Sequence, residues 1–371
     1  MKSMVYKTGL LFALLAVVLG ACAPAAAPTP AAPVEVEVTR VVQGTPVVEQ
    51  VIVTATPAPV EEKSFKVAIV MPSTITDYAF SQSMFEGLKA VQTEMGGEAK
   101  MQIAYSESMF KVPDAAAAIR DYASQGFDLV IAHGSQYGTS LSQIAPEFPE
   151  TAFAWGTSLE TFQKDGINNV FAYQAEAQEG GYVLGTLAAK MTKTSTVGVT
   201  GPVEAGDAKL YVDGFKAGVT NTNKNVKVPT TYTGSFSDVS LMAAAAETHI
   251  ANGADILTGS SQSVVGAIGV AKDKKAYWLG AQWDQSELAP DTVVASMVYD
   301  WNGILKDMIN SVQAGVLGGK SYTLTFKNQG LTISYNPKIE VPAEAKAAAD
   351  EAIKGIVAGT IDPLTGPKPQ Q

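Results

Sequence analysis

The sequence predicts an α/β protein of two similar lobes with a cleft between them. Three observations carry that expectation. Short apolar strands alternate with amphipathic helices from Phe65 onward. The first of these strands, Val67–Met71, is a run of β-formers without polar alternation, as in a parallel sheet buried on both faces. The alternation then runs through two cycles of about 110 residues each, the size of a lobe, and paired lobes leave a cleft.

The elements follow in order. After Val67–Met71 come loop formers (Pro72, Ser73, Thr74) and then Thr76 and Asp77, either of which caps a helix. Phe80, Met84, Leu88 and Val91 recur at helical spacing. Met101–Tyr105 reads as a second strand, and Pro113–Tyr122 as a helix with proline and an acidic residue in its first turn. Asp128–Ala132, Ala152–Trp155 and Asn169–Tyr173 complete the first set of strands. The second cycle takes helices over 179–191, 208–220, 240–251 and 264–272, with strands at 196–200, 255–258 and 276–280. Lys227–Tyr232 suits an edge strand, because Pro229 has no N–H for a central ladder.

The N-terminus reads as an address. Lys2 and Lys7 precede an apolar run, Leu10–Gly20, shorter than the ~20 residues that span a bilayer. The run ends in Leu19-Gly-Ala-Cys22, like a bacterial lipobox with Cys22 as the lipidated residue; the alternative is a plain secretory signal with a chance cysteine. Cys22 is the only cysteine of the chain, so an intramolecular disulfide is excluded. Residues 23–62 are rich in proline and lack aromatics, which predicts an unstructured tether. Val34–Val38 alternates like a strand but is expected to lack a partner.

Charge and motifs narrow the function. The formal net charge is −10 and Lys and Arg form no dense cluster, which argues against a nucleic-acid partner. The two histidines, His133 and His249, have no Cys or Glu cluster at metal-ligand spacing, so no metal and no cofactor are expected. Gly156-Thr-Ser158 and Gly259-Ser-Ser-Gln262 lack the flanks of a nucleophile elbow, and Gly201–Gly206 fits neither a Walker loop nor a dinucleotide fingerprint. Binding is the better reading, and no enzyme is expected. Ligands of open parallel sheets sit outside the carboxyl ends of the strands. Those ends carry Tyr78 and Phe80, Gln136 and Tyr137, Tyr173, Trp283 and Trp301. Aromatic faces hold a planar base, and amides, hydroxyls and carboxylates read its edge and any sugar.

Several of these segments carry a resemblance. Tyr78-Ala-Phe-Ser-Gln-Ser-Met-Phe-Glu-Gly87 resembles the Ser-Phe-Asn-Gln-Ser-x-x-x-Gly segment of the basic membrane lipoproteins, the nucleoside-binding receptors of ABC importers, with Ser81 in place of the family's Asn. Phe127–Gly134, Glu179–Lys193, Gly253–Leu257 and Gly280–Ser286 resemble further motifs of that family in the same order. The resemblance implies the type I periplasmic-binding-protein fold, two Rossmann-like lobes joined by three crossings. It places these near Tyr173–Gln178, near Trp283–Glu287 and between Trp301 and Tyr322. The implied organisation is a signal peptide (1–21), a lipid-anchored linker (22–62), a first lobe (63–175), a second lobe (176–285) and a C-terminal segment crossing between them (286–371).

The same resemblance implies a purine nucleoside or base as ligand, an ABC permease as partner, and a monomer anchored outside the cell membrane through Cys22. Ser81, Gln82, Gln282, Asp284 and Asp300 join the candidate ligand-binding residues through its motifs. Gln282 stands where the family usually has a carboxylate, and Val298-Tyr-Asp-Trp301 resembles an element of presumed base binders; both lean towards a less ribosylated ligand. A sugar or autoinducer receptor, or a sensory receptor of the same fold, is the alternative.

Overall fold

Strand β3 (Phe65–Val70) sits inside a six-stranded parallel sheet, and its burial explains its unbroken apolar sequence. A computed structural model describes residues 34–42, 45–53 and 63–369, the first two segments by their backbone alone. The signal segment 1–21 and Cys22 lie outside the described residues.

The N-terminal segments correct one expectation. Val34–Val38 does have a partner: β1 (Val34–Val42) pairs antiparallel with β2 (Thr45–Val53) along their full length, Val34 opposite Val53 and Val42 opposite Thr45. The run Thr45–Val53 supplies the second strand after a two-residue connection, the commonest hairpin length. The expected unstructured tether therefore contains a hairpin. It forms a unit of its own, and residues 63–371 form the other.

In that larger unit β3 is joined by β4 (Met101–Ser106), β5 (Leu129–Ala132), β6 (Ala152–Gly156) and β7 (Val170–Ala175). The chain then leaves this sheet, at the place expected near Tyr173–Gln178, and builds a second one. Its strands are β8 (Val197–Gly201), β9 (Thr230–Tyr232), β10 (Ile256–Gly259), β11 (Tyr277–Gln282) and β12 (Val293–Tyr299), with β9 at the edge. The second return comes later than the expected Trp283–Glu287. β12 still pairs with β11 in the second sheet, and the chain crosses back only at Asp300–Trp301. The third crossing also comes later than the expected span between Trp301 and Tyr322. It lies at residues 325–330, because β13 (Ser321–Leu324) still pairs in the first sheet and β14 (Leu331–Tyr335) in the second. β13 adds parallel to β7, so the first order is β4-β3-β5-β6-β7-β13. β14 adds antiparallel to β12, so the second is β9-β8-β10-β11-β12-β14.

Helices cover both sheets. α1 (Phe80–Glu94), α2 (Val112–Ser124) and the short α3 (Gly138–Ile144) follow the strands of the first sheet. α4 (Ala177–Met191), α5 (Gly206–Thr222), α6 (Val239–Ala251) and α7 (Val264–Lys274) belong to the second. α8 (Asn302–Gln313) returns beside α1, and α9 (Ala343–Val357) lies on α4. The α4–α5 pair is the closest packed. A methyl group on Gly185 would stand 2.2 Å from the Phe215 carbonyl, and one on Gly218 would stand 2.1 Å from the Tyr182 carbonyl. Only hydrogen at these positions lets the two backbones touch. No helix among the described residues is long and apolar enough to cross a membrane.

Candidate ligand-binding cleft

The loops that follow the carboxyl ends of both sheets face one cavity of about 250 Å³. From the first sheet it takes Phe80 after β3, Phe110 after β4, Gly134 to Gln136 after β5 and Thr157 after β6. From the second it takes residues 205–208 after β8, Phe236 after β9, 260–262 after β10 and Gln282 at the end of β11. This is the placement that parallel sheets dictate for a ligand.

Asp77 sets the first wall. Its buried carboxylate accepts the backbone N–H groups of Ala79 (2.8 Å), Ser81 (3.2 Å) and Gln82 (3.1 Å), so it caps α1 from three residues ahead. Burial pushes its carboxyl up, against these lowering bonds. The turn it holds puts Tyr78 at φ 53°, a left-handed conformation unusual for tyrosine. The side-chain oxygen of Gln82 accepts the Tyr78 N–H at 2.8 Å, and the Ser81 hydroxyl accepts that of Ser73 at 3.2 Å. Ser81 and Gln82 thus shape the loop, and neither lines the cavity; Tyr78 does not line it either. What the turn delivers to the wall is Phe80, stacked on His133 with centroids 3.7 Å apart.

Behind Phe80 the strand-end aromatics close on one another. Tyr173 and Trp301 are buried and their rings meet edge to face at 5.4 Å; the indole N–H of Trp301 donates to the Ser83 hydroxyl at 3.0 Å. Gly87 admits Trp301, since a methyl there would stand 3.1 Å from its Cβ. Tyr137 is buried in the first lobe's core and donates to the Met109 carbonyl at 2.8 Å. These three rings back the cavity rather than line it.

On the second sheet, Gln282 reaches the cavity in a left-handed conformation, φ 75°. Trp283, the next residue, is half-buried and does not line it. Asp284 also lies away from the cavity; partial burial raises its carboxyl, but the Ser334 hydroxyl (2.7 Å) and the Ser286 N–H (2.9 Å) that it accepts together hold it low. Asp300 is exposed and accepts the Asn302 N–H at 2.9 Å, an N-terminal cap for α8. Of the sequence-predicted set, Phe80, Gln136 and Gln282 therefore meet at the cavity.

Asp207, Phe110, Phe236 and Gln262 also line it, and none of them belongs to the sequence-predicted set. Phe236 lies in Gly234-Ser-Phe-Ser-Asp238, an aromatic two residues ahead of a helix-capping aspartate whose carboxylate takes the Ser240 and Leu241 N–H groups. An aromatic beside a capping aspartate at a strand end is the same pattern that marks Phe80, and is the signal the sequence offers for it. Asp207 is buried near the start of α5, and its carboxylate accepts the Tyr299 hydroxyl at 3.3 Å. Burial pushes its carboxyl up to about 6, against hydrogen bonds from Tyr299, the Ala208 N–H and the Gln282 amide. The side-chain oxygens of Gln282 and Gln262 are buried without a hydrogen-bond partner.

Gln285 ties the two halves of the site together. Its amide nitrogen donates to the Tyr78 carbonyl across the cleft and to the Ala281 carbonyl, both at 3.0 Å. Its oxygen accepts the Trp278 indole N–H at 2.7 Å. Every polar atom of this buried side chain is thus engaged.

Comparison with known proteins places this arrangement in a family. Residues 64–361 match the family model described as ABC transporter substrate-binding protein, PnrA-like. The chain is similar to a purine-binding protein of Brucella abortus, 27% identical over 310 residues that cover 84% of this chain and 86% of that one. It is also similar to the ABC transporter nucleoside-binding protein BmpA of Lactococcus lactis, 25% identical over 319 residues (80% and 88% of the two chains). Its fold matches a solved ABC transporter solute-binding protein of Aeropyrum pernix with a TM-score of 0.69 at 19% identity, over 80% of this chain and 92% of that one. With its two mainly parallel sheets, its three crossings and its shared cavity, the chain belongs to the PnrA-like (Bmp) family of ABC transporter substrate-binding proteins.

Proposed function

We propose that this protein captures a purine, as base or nucleoside, in the cavity between its sheets and presents it to an ABC permease. Proteins of its family are extracytoplasmic, membrane-associated receptors that bind a small molecule for an ABC importer. The observation that carries the purine reading is the pair Phe80 and Phe236, two phenyl rings from opposite sheets on one cavity. A planar heterocycle entering between them gains two faces, and each stacked face contributes about 1–3 kcal/mol. The remaining wall offers amides, hydroxyls and one carboxylate, groups that read ring edges and sugar hydroxyls. The names of the Brucella and Lactococcus relatives, purine-binding and nucleoside-binding, favour the same ligand class.

The cavity, at about 250 Å³, lies just below the usual ~300–1,000 Å³, which suits a base or nucleoside better than a larger conjugate. Lobe closure on the ligand is the transport signal, and the protein acts as a monomer without chemistry on its cargo. Lipidation at Cys22 anchors it, on the strength of the Leu19–Cys22 lipobox.

Calorimetric titration with adenine, guanine, adenosine, guanosine, inosine and ribose tests the ligand, in excess chelator, followed by chromatography of the recovered ligand. Purines are expected to bind and to return intact. Binding of ribose with no purine binding overturns the purine reading, and release of free base from a nucleoside overturns the receptor-only role. Detergent partitioning of Cys22→Ser tests the anchor, which is wrong if membrane retention is unchanged.

A further inference from the structure

Among the hydroxyls and amides of the cavity wall, three acceptors stand out. Asp207 brings a carboxylate from the start of α5, and the Gln282 amide on the same cavity is among the groups that favour its ionised form. The Gln282 amide oxygen is buried without a partner, in a residue only 4% exposed. Gln262, on the same cavity, likewise keeps a buried oxygen without a partner. Among the described residues that line the cavity, none is a lysine, arginine or histidine. Gln282 is held in its left-handed conformation at the strand end, and such outliers persist where surrounding structure enforces them.

Acceptors buried without donors are unfavourable until something donates to them. An anionic ligand, or one presenting a carbonyl to this wall, meets oxygen with oxygen. A ligand presenting N–H groups satisfies it. We propose that Asp207, with the Gln282 oxygen beside it, selects amino-bearing purines over their oxo counterparts, so that adenine is preferred to hypoxanthine and guanine to xanthine. This rests on the purine reading above and adds to it a specificity-determining residue and a ligand subclass. A site built to hydrogen-bond a donor rejects the analogue lacking it far more strongly than an apolar pocket rejects a missing methylene.

Asp207 is faced by the Tyr299 hydroxyl from β12, the Gln282 amide from β11 and the Ala208 N–H of its own helix, none of them charged at neutral pH. With its carboxyl pushed up to about 6, it is ionised at neutral pH and loses its proton-accepting capacity under mild acid.

The test is equilibrium binding of those two ligand pairs to the full chain, wild type and Asp207→Asn, with the unfolding midpoint of the variant measured alongside. In the wild type the amino member is expected to bind about tenfold or more tighter, a ratio typical of one well-placed hydrogen bond to a charged group. Asp207→Asn, of equal size but with one oxygen replaced by NH₂, should shrink that ratio to about threefold or less without weakening the oxo member. The wild type supplies an independent arm, in which the ratio shrinks between about pH 8 and about pH 5 as the carboxyl protonates. Equal binding within each pair, or a ratio unmoved by both the variant and pH, overturns the proposal while leaving the purine reading standing. Absence of binding by all four purines overturns the purine reading, and the proposal with it.

Discussion

The phenyl ring of Phe80 lies flat on the imidazole of His133, with planes 10° from parallel, and the Phe80 carbonyl meets the same imidazole at Nε2 at 3.0 Å. A carbonyl only accepts, so Nε2 carries the proton, and Nδ1 accepts from the Tyr173 hydroxyl at 2.7 Å. One neutral histidine thus fixes both the ring and the backbone of the residue that forms the cavity wall.

That neutrality has a pH consequence. Burial pushes the His133 imidazole down to about 3, from the ordinary 6.5 of the unfolded chain, and His249 is lowered by burial as well. At His133 the unfolded state binds a proton below pH 6.5 that the folded state does not, so this residue's contribution to stability falls as pH falls from about 6.5 towards about 3. Asp207, raised from 3.8 to about 6, contributes in the opposite sense over part of that window. The slope contributed by His133 is about 1.4 kcal/mol per pH unit. Urea unfolding of wild type and His133→Gln across this window should show the wild type losing stability relative to the variant as pH falls. A stability difference independent of pH there contradicts the neutral, buried imidazole.

Phe80→Ala and Phe236→Ala should each weaken purine binding about ten- to a hundredfold, as expected for one lost stacking face. Trp283→Ala and Asp284→Ala should change it by about threefold or less, because neither residue lines the cavity. Calorimetry on the four variants separates the two groups. A large effect at Trp283 with none at Phe236 would place the ligand elsewhere.

Gln285→Leu should destabilise the protein by about 1–3 kcal/mol, since it strands the Trp278 indole N–H and the Tyr78 carbonyl. The bond to Tyr78 also spans the two sheets, so small-angle scattering should report a larger radius for the variant. An unchanged unfolding midpoint and radius would remove Gln285 from this role.

Gly185→Ala should cost about 1–3 kcal/mol or more, because its methyl meets the Phe215 carbonyl on the facing helix, where nothing flexible can give way. Chemical denaturation measures the loss. Binding by the fraction that remains folded should be close to wild type, as α4 contributes no residue to the cavity.

The alternation of apolar strands with periodic helices is legible in the chain, because strands buried on both faces and helices laid on them leave no freedom in where apolar residues go. Leu129–Ala132 and the stripe Phe80, Met84, Leu88 are of this kind, and the carboxyl ends of such strands mark the cleft from the sequence alone. Phe80 stands out because Asp77, a local cap, sits beside it. The hairpin of Val34–Val42 with Thr45–Val53 is less legible although its two strands are neighbours in the sequence, since pairing joins two runs neither of which signals it singly.

Which strand-end aromatic faces a ligand is decided only by tertiary packing. Tyr137, Tyr173 and Trp301 look like Phe80 in the chain, yet the crossing at Asp300–Trp301 and the contact with His133 turn two of them into a shared buried cluster. Asp207 opens α5 just after a loop of small and polar residues, and Phe236 stands in another such loop. Their place on the cavity depends on the second sheet facing the first. A local sequence records what a residue prefers, whereas the meeting of residues more than a hundred positions apart is set by how the two sheets are joined.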